Sequence, residues 1–105
     1  MILNPGSENR LVLFVRDGCE FCEEAIDMAK DISRAEILIY MVYPSRIEGR
    51  AEIRPYRNYE RINGIPTLIK QEIVEDVPVL YDPFLDDVIV GLESIEKYFD
   101  DYLRD

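Results

Sequence analysis

The 105-residue chain contains no histidine and only two cysteines, and each shortage removes a chemistry. Without an imidazole, a cysteine protease has no base. Two thiols fall short of the four ligands of a structural zinc site, so one chain cannot close such a site without a second copy or an external ligand. Positive charge is also scarce. Twelve Lys and Arg against 22 Asp and Glu leave a formal net charge of −10, which repels phosphate backbones and anionic lipid and leaves no basic stripe for either. Neither nucleic acid nor a membrane is an expected partner. No apolar run approaches the roughly 20 residues needed to cross a bilayer, and the opening MILNPGSENR lacks the basic and apolar regions of a signal peptide. A cytoplasmic, monomeric protein is expected. Low-complexity tracts and internal repeats are missing as well, which makes residues 1–105 one domain. A domain of this size buries roughly 65% of its unfolded surface and does not depend on its cysteines as a staple.

What is present is ordered for an α/β fold. Leu11 to Val15 and Ile37 to Val42 are continuous apolar runs, suited to strands covered on both faces. Between them Cys22, Ala25, Ile26, Ala29 and Ile32 recur at helical spacing, with Glu20, Glu23, Glu24, Asp27, Lys30 and Asp31 on the other side. The pattern predicts a helix from about Glu20 to Ser33 inside a right-handed βαβ unit. Near the end, VPVLYD and VIVG flank PFLDD and predict a hairpin over 77–91. Leu92, Ile95, Phe99, Tyr102 and Leu103 then form the apolar stripe of a terminal helix. The segment 44–64 holds Pro44, Gly49, Pro55 and Gly64, too many breakers for one long helix. Tyr56, Tyr59 and Ile62 suit a short helix starting at Pro55 and ended by Gly64. The expected architecture is a central four- to five-stranded mixed sheet flanked by helices.

The chemistry is concentrated in RDGCEFCEEAID, residues 16–27. Cys19 lies just beyond a strand end, and Cys22 lies on the first turn of a helix, where unpaired N–H groups and the positive end of the helix dipole favour a thiolate. Lowering a thiol pKa from about 8.5 toward 7 makes it a nucleophile at cellular pH, and a second thiol two residues on can resolve the mixed disulfide that it forms. Arg16 adds positive potential, while Asp17, Glu20, Glu23 and Glu24 oppose it through solvent. Three readings of the pair stand: a redox couple, which the strand-to-helix context favours; half of a metal or iron–sulfur site shared by a dimer; and an idle pair in a non-catalytic interaction module.

LVLFVRDGCEFCEEAIDMAKDI, NGIPTLI and VIVGLESIEKYF, in this order and spacing, resemble the thioredoxin and glutaredoxin superfamily over almost the whole chain. Phe21 resembles the aromatic of the glutaredoxin box, whereas Glu20 replaces its proline and Gly18 stands where thioredoxin carries tryptophan. The resemblance implies a thioredoxin-like fold and a thiol–disulfide oxidoreductase acting on protein or glutathione disulfides. Cys19 would be the nucleophile and Cys22 the resolving thiol, with no tightly bound cofactor and with glutathione as a candidate reductant. It also implies a substrate groove, here formed by Arg16, Phe21, Gly91, Ser94 and the backbone beside a cis-proline. Two prolines compete for that place. Pro66, after Ile65, sits in the string GIPTL; Pro78, after Val77, directly precedes the predicted hairpin. The local string favours Pro66 and strand parity favours Pro78, and the balance falls on Pro66.

Overall fold

The two continuous apolar runs lie side by side at the centre of one sheet. The computed structural model describes residues 10–56, 67–82 and 85–104. Strand β1 (Arg10–Val15) pairs in parallel with β2 (Glu36–Pro44), from Arg10 opposite Glu36 to Val15 opposite Met41. Parallel neighbours need a long crossover, and helix α1 (Glu20–Lys30) supplies it. It ends before the expected Ser33, where the Asp31 and Ile32 amides donate to the carbonyls of Met28 and Ala29. Ile32 still buries its side chain beyond the helix end.

Four more strands widen the sheet: β3 (Arg50–Pro55), β4 (Leu68–Lys70), β5 (Val79–Asp82) and β6 (Asp87–Val90). The spatial order is β4-β3-β2-β1-β5-β6, and every neighbouring pair except β1 with β2 is antiparallel. Six strands replace the four to five expected. Of the added strands β3 comes from the breaker-rich segment, where Pro44 and Pro55 sit at strand ends, and β4 follows that segment. Pro44 closes β2 opposite Ala51, and Pro55 closes β3 opposite Tyr40. RAEIRP alternates, with Ala51 and Ile53 buried while Arg50 and Arg54 are exposed. The helix expected to start at Pro55 does not start there. Tyr56 instead donates its amide to the Ile39 carbonyl at 2.8 Å, continuing the pairing of β3 with β2; Tyr59, Ile62 and Gly64 lie outside the described residues.

A single 3₁₀ turn (Gln71–Val74) leads toward β5. After the β5–β6 hairpin, helix α2 (Leu92–Tyr98) runs into one π turn (Phe99–Leu103). Among the described residues no helix is long and apolar enough to cross a membrane.

Alternation along the strands divides the core in two. Leu11, Leu13, Val15, Ile39 and Leu80 pack with Cys22, Ala25 and Ile26 of α1 and with Ile95 and Phe99 of the final helical segment. Val12, Phe14, Leu38, Tyr40, Ala51, Ile53 and Val79 form the opposite layer with Val74 of the 3₁₀ turn. Both described α-helices thus contribute to the first layer. Each fully buried large apolar side chain is worth about 1.5–3 kcal/mol, so β1, buried on both sides, anchors both layers at once.

The hairpin that follows is held by a short polar bond. Tyr81 Oη donates to Asp86 Oδ1 at 2.6 Å, and this bond, with burial and the nearby carboxylates behind it, pushes the phenol up to about 12. A folded pKa raised above the unfolded value of about 10 stabilises the fold below pH 10, and that contribution disappears as pH rises through 12. Tyr81→Phe should therefore lose stability at neutral pH yet fall less steeply between pH 10 and 12 than the unmodified protein. Urea unfolding across that range checks it, and since the Cys22 thiol is common to both proteins it cancels in the comparison.

Candidate functional site

The β1–α1 junction delivers both cysteines to the sheet edge where the parallel strands end. Gly18 turns the chain there with φ of +73°, a conformation that glycine adopts without the steric cost of a Cβ. Cys19 then takes extended backbone as the N-cap of α1, and its Sγ accepts a hydrogen bond from the Cys22 amide at 3.1 Å. The sulfur fills the place that a serine or aspartate oxygen occupies in other helix caps. One turn of helix places Cys22 behind it, only 1% exposed, within the layer formed by Ala25, Ile26 and Leu13. Cys19 is partly exposed, both thiols are free, and the two cysteines approach to 2.5 Å.

The buried partner is held protonated. Burial is the main cause, reinforced by the hydrogen bond with Cys19 and opposed by a hydrogen bond to the Arg16 backbone and by the Arg16 charge; together they push the Cys22 thiol up to about 12. The two sulfurs therefore differ: one is reachable and faces a backbone donor, the other is enclosed and neutral.

Beside the pair runs an open groove of about 470 Å³, with Phe21, Val77, Pro78, Gly91 and Ser94 in its walls. Five residues expected to meet substrate thus come together, from three separated stretches of chain. Among the described residues the Val77–Pro78 bond is cis, at the proline favoured by strand parity. Ile65 and Pro66, favoured by the local string, lie outside the described residues. Arg16 is not part of this groove. It lines a second cleft of about 520 Å³ with Asp17, Tyr43, Ser45, Arg50 and Gln71.

Several contributors were not expected from the sequence. Val90, Leu92 and Glu93 complete the first groove, and Arg50 reaches the second through the unforeseen β2–β3 hairpin. Phe21 is 62% exposed and Val90 45%, giving the first groove an apolar rim. Its only charged lining residue among those described is Glu93. No group of three or more metal-binding side chains is assembled among the described residues; the thiols of Cys19 and Cys22 are the donors that could contribute to a shared ion.

Gly91 ties the groove wall to the cis-proline. Its amide donates to the Pro78 carbonyl and its carbonyl accepts from the Ile95 amide, both at 3.0 Å. It does so at φ 92° and ψ 155°, a region open essentially to glycine alone. Gly91→Ala should cost about 1–3 kcal/mol of stability, although an added Cβ would meet nothing within 4 Å. A denaturant midpoint equal to that of the unmodified protein would show that the backbone relaxes freely at this position.

No protein-family model, curated protein or solved structure matches the chain, and the chemistry of the site rests on its own geometry.

Proposed function

We propose that the protein is a thiol–disulfide oxidoreductase of thioredoxin-like fold, elaborated by the β3–β4 extension of its sheet. The observation that carries the reading is the asymmetry of the pair: Cys19 capping α1 with the Cys22 amide on its sulfur, and Cys22 buried and protonated behind it. The β1–α1–β2 unit followed by the β5–β6 hairpin and α2, with cis-Pro78 beside the motif, supports the fold assignment.

In the proposed reaction Cys19, as thiolate, attacks one sulfur of a substrate disulfide. That S–S bond breaks, its other sulfur leaves as a thiolate and takes up the proton that Cys19 had released, and a mixed disulfide remains. Cys22 then loses its proton and attacks Cys19 Sγ, forming the Cys19–Cys22 bond and expelling the second substrate thiolate, which takes that proton. Two electrons pass from the dithiol to the substrate, and a thiol reductant such as glutathione returns them.

The groove favours protein disulfides as substrate over glutathione disulfide. Its rim is apolar, at Phe21 and Val90, and its charged lining residue is an acid, Glu93, whereas glutathione brings carboxylates of its own. A monomeric role in a reducing compartment such as the cytoplasm completes the reading.

The test is a redox titration of the purified protein, followed by turnover. Cys19 and Cys22 should interconvert as one two-electron couple, with a tenfold change in equilibrium constant for about every 30 mV. The reduced form should then cleave a protein disulfide repeatedly while dithiothreitol is present. A pair that forms no intramolecular disulfide across the range of thiol buffers sinks the proposal.

A further inference from the structure

We infer that the cleft between the β1–α1 loop and the β2–β3 turn is a docking subsite for an acidic side chain of a polypeptide disulfide, with Arg50 as its specific cation. The inference rests on the thiol–disulfide reading of Cys19 and Cys22 and adds a substrate preference to it.

The two hollows bordering the cysteine motif carry opposite charge. The groove that includes Phe21, between the cysteines in sequence, has Glu93 as its charged residue. The cleft that includes Arg16 and Asp17, just before Cys19, has two guanidinium groups on its walls, those of Arg16 and Arg50, against the single carboxylate of Asp17.

Both cations stand in a chain of net charge −10, and like Lys30, Arg46 and Lys70 they have no ion pair among the described residues. Arg10, Arg54, Lys97 and Arg104 are each engaged with a carboxylate, of Glu36, Glu52, Asp101 and Asp100 respectively. Glu48, Glu72 and Glu75 line a neighbouring hollow that Arg50 shares with Lys70, yet none is paired with it. The Arg50 backbone is fixed all the same: its amide donates to the Ile47 carbonyl at 3.1 Å, and it stands opposite Lys70 in the β3–β4 ladder.

A guanidinium on a rigid strand end is suited to a carboxylate, which it can meet with two parallel N–H donors. Ser45 and Gln71 supply neutral polar groups in the same cleft. A small disulfide held by one hollow would leave the other empty. A polypeptide reaching Cys19 along the apolar groove can extend an acidic residue to Arg50, and electrostatic complementarity of this kind acts first on association.

The test uses three peptides with the same internal disulfide and apolar residues, differing only in a flank of glutamates, glutamines or lysines. With the full-length reduced protein at low salt, the glutamate peptide should be reduced about 5-fold faster than the glutamine peptide, and the lysine peptide should be the slowest. Arg50→Gln should bring the glutamate-to-glutamine ratio close to 1, while Arg50→Lys should retain part of it. A ratio of 1 in the unmodified protein, or one that Arg50→Gln leaves intact, overturns the subsite. Fluorescence anisotropy with cysteine-free versions of the peptides separates this from the redox reading. If no peptide is reduced but the glutamate peptide still binds in an Arg50-dependent, salt-sensitive way, the redox reading fails and the subsite stands; absence of such binding removes the subsite as well.

Discussion

Replacing Cys19 by serine is expected to abolish disulfide exchange, and replacing Cys22 by serine is expected to turn the protein into a covalent trap. The two outcomes differ because the sulfurs do. Cys19 is partly exposed and accepts the Cys22 amide, so it can attack and can hold the resulting mixed disulfide. Cys22 is enclosed and held near 12. At pH 8 a thiol at about 12 is roughly a thousand-fold less ionised than an ordinary one near 8.5. Its turn comes when a disulfide sulfur is placed against it, where contact substitutes for a large standing population of thiolate.

Alkylation checks the assignment without knowledge of the substrate. The Cys22→Ser protein, with only Cys19, should be modified by iodoacetamide readily near neutral pH. The Cys19→Ser protein should react at least about 100-fold more slowly under the same conditions. The margin is kept below a thousand because removing Cys19 also removes a hydrogen bond that helps to raise Cys22, although burial, the larger cause, remains. Faster reaction of the Cys19→Ser protein would reverse the assignment and the proposed order of attack.

How far the sequence could be read depended on whether a signal was local. Leu11 to Val15, Ile37 to Val42 and the stripe from Cys22 to Ala29 each carry their own periodicity, and the β1–α1–β2 unit follows from them. Residues 77–91 announced a hairpin in the same way, and β5 pairs with β6 as expected. The segment after Pro44 is harder, because Pro44, Gly49, Pro55 and Gly64 read as helix breakers, with Pro55 and Gly64 as the ends of a short helix, and the alternation of Ala51 and Ile53 with Glu52 and Arg54 spans only four residues. A proline at either end of a strand removes few ladder hydrogen bonds, and Pro44 and Pro55 occupy such ends. Without β3 defined, Arg50 has no reason to share a cleft with Arg16 and Asp17. The groove was legible only through family resemblance, for nothing local to Val77, Gly91 or Ser94 says that they meet Phe21.

The same layering that buries Cys22 makes Phe99 the side chain whose loss should be felt most widely. Phe99 is 0% exposed and opens the final π turn, where the Arg104 amide closes onto its carbonyl at 2.8 Å. Its ring belongs to the layer that holds Cys22, Ala25, Leu80 and Ile95. Phe99→Ala should cost about 3–5 kcal/mol, combining lost transfer energy with the cavity left behind, a large share of a total stability of about 5–15 kcal/mol. Tyr102→Ala on the same turn is the comparison. That ring is 65% exposed and meets Tyr98 at a centroid distance of 5.0 Å, so its loss should cost only about 0.5–1.5 kcal/mol. Urea denaturation should place the Phe99→Ala midpoint well below that of Tyr102→Ala, with similar slopes. A second readout joins stability to chemistry. In the Cys19→Ser background, Phe99→Ala should hasten alkylation of Cys22 under conditions where the protein remains folded, because the layer that desolvates this thiol has been opened, whereas Tyr102→Ala should leave the rate unchanged. Equal midpoints for the two alanine variants would mean that the final turn is not part of the core enclosing Cys22, and would remove the structural basis for the asymmetry between the two sulfurs.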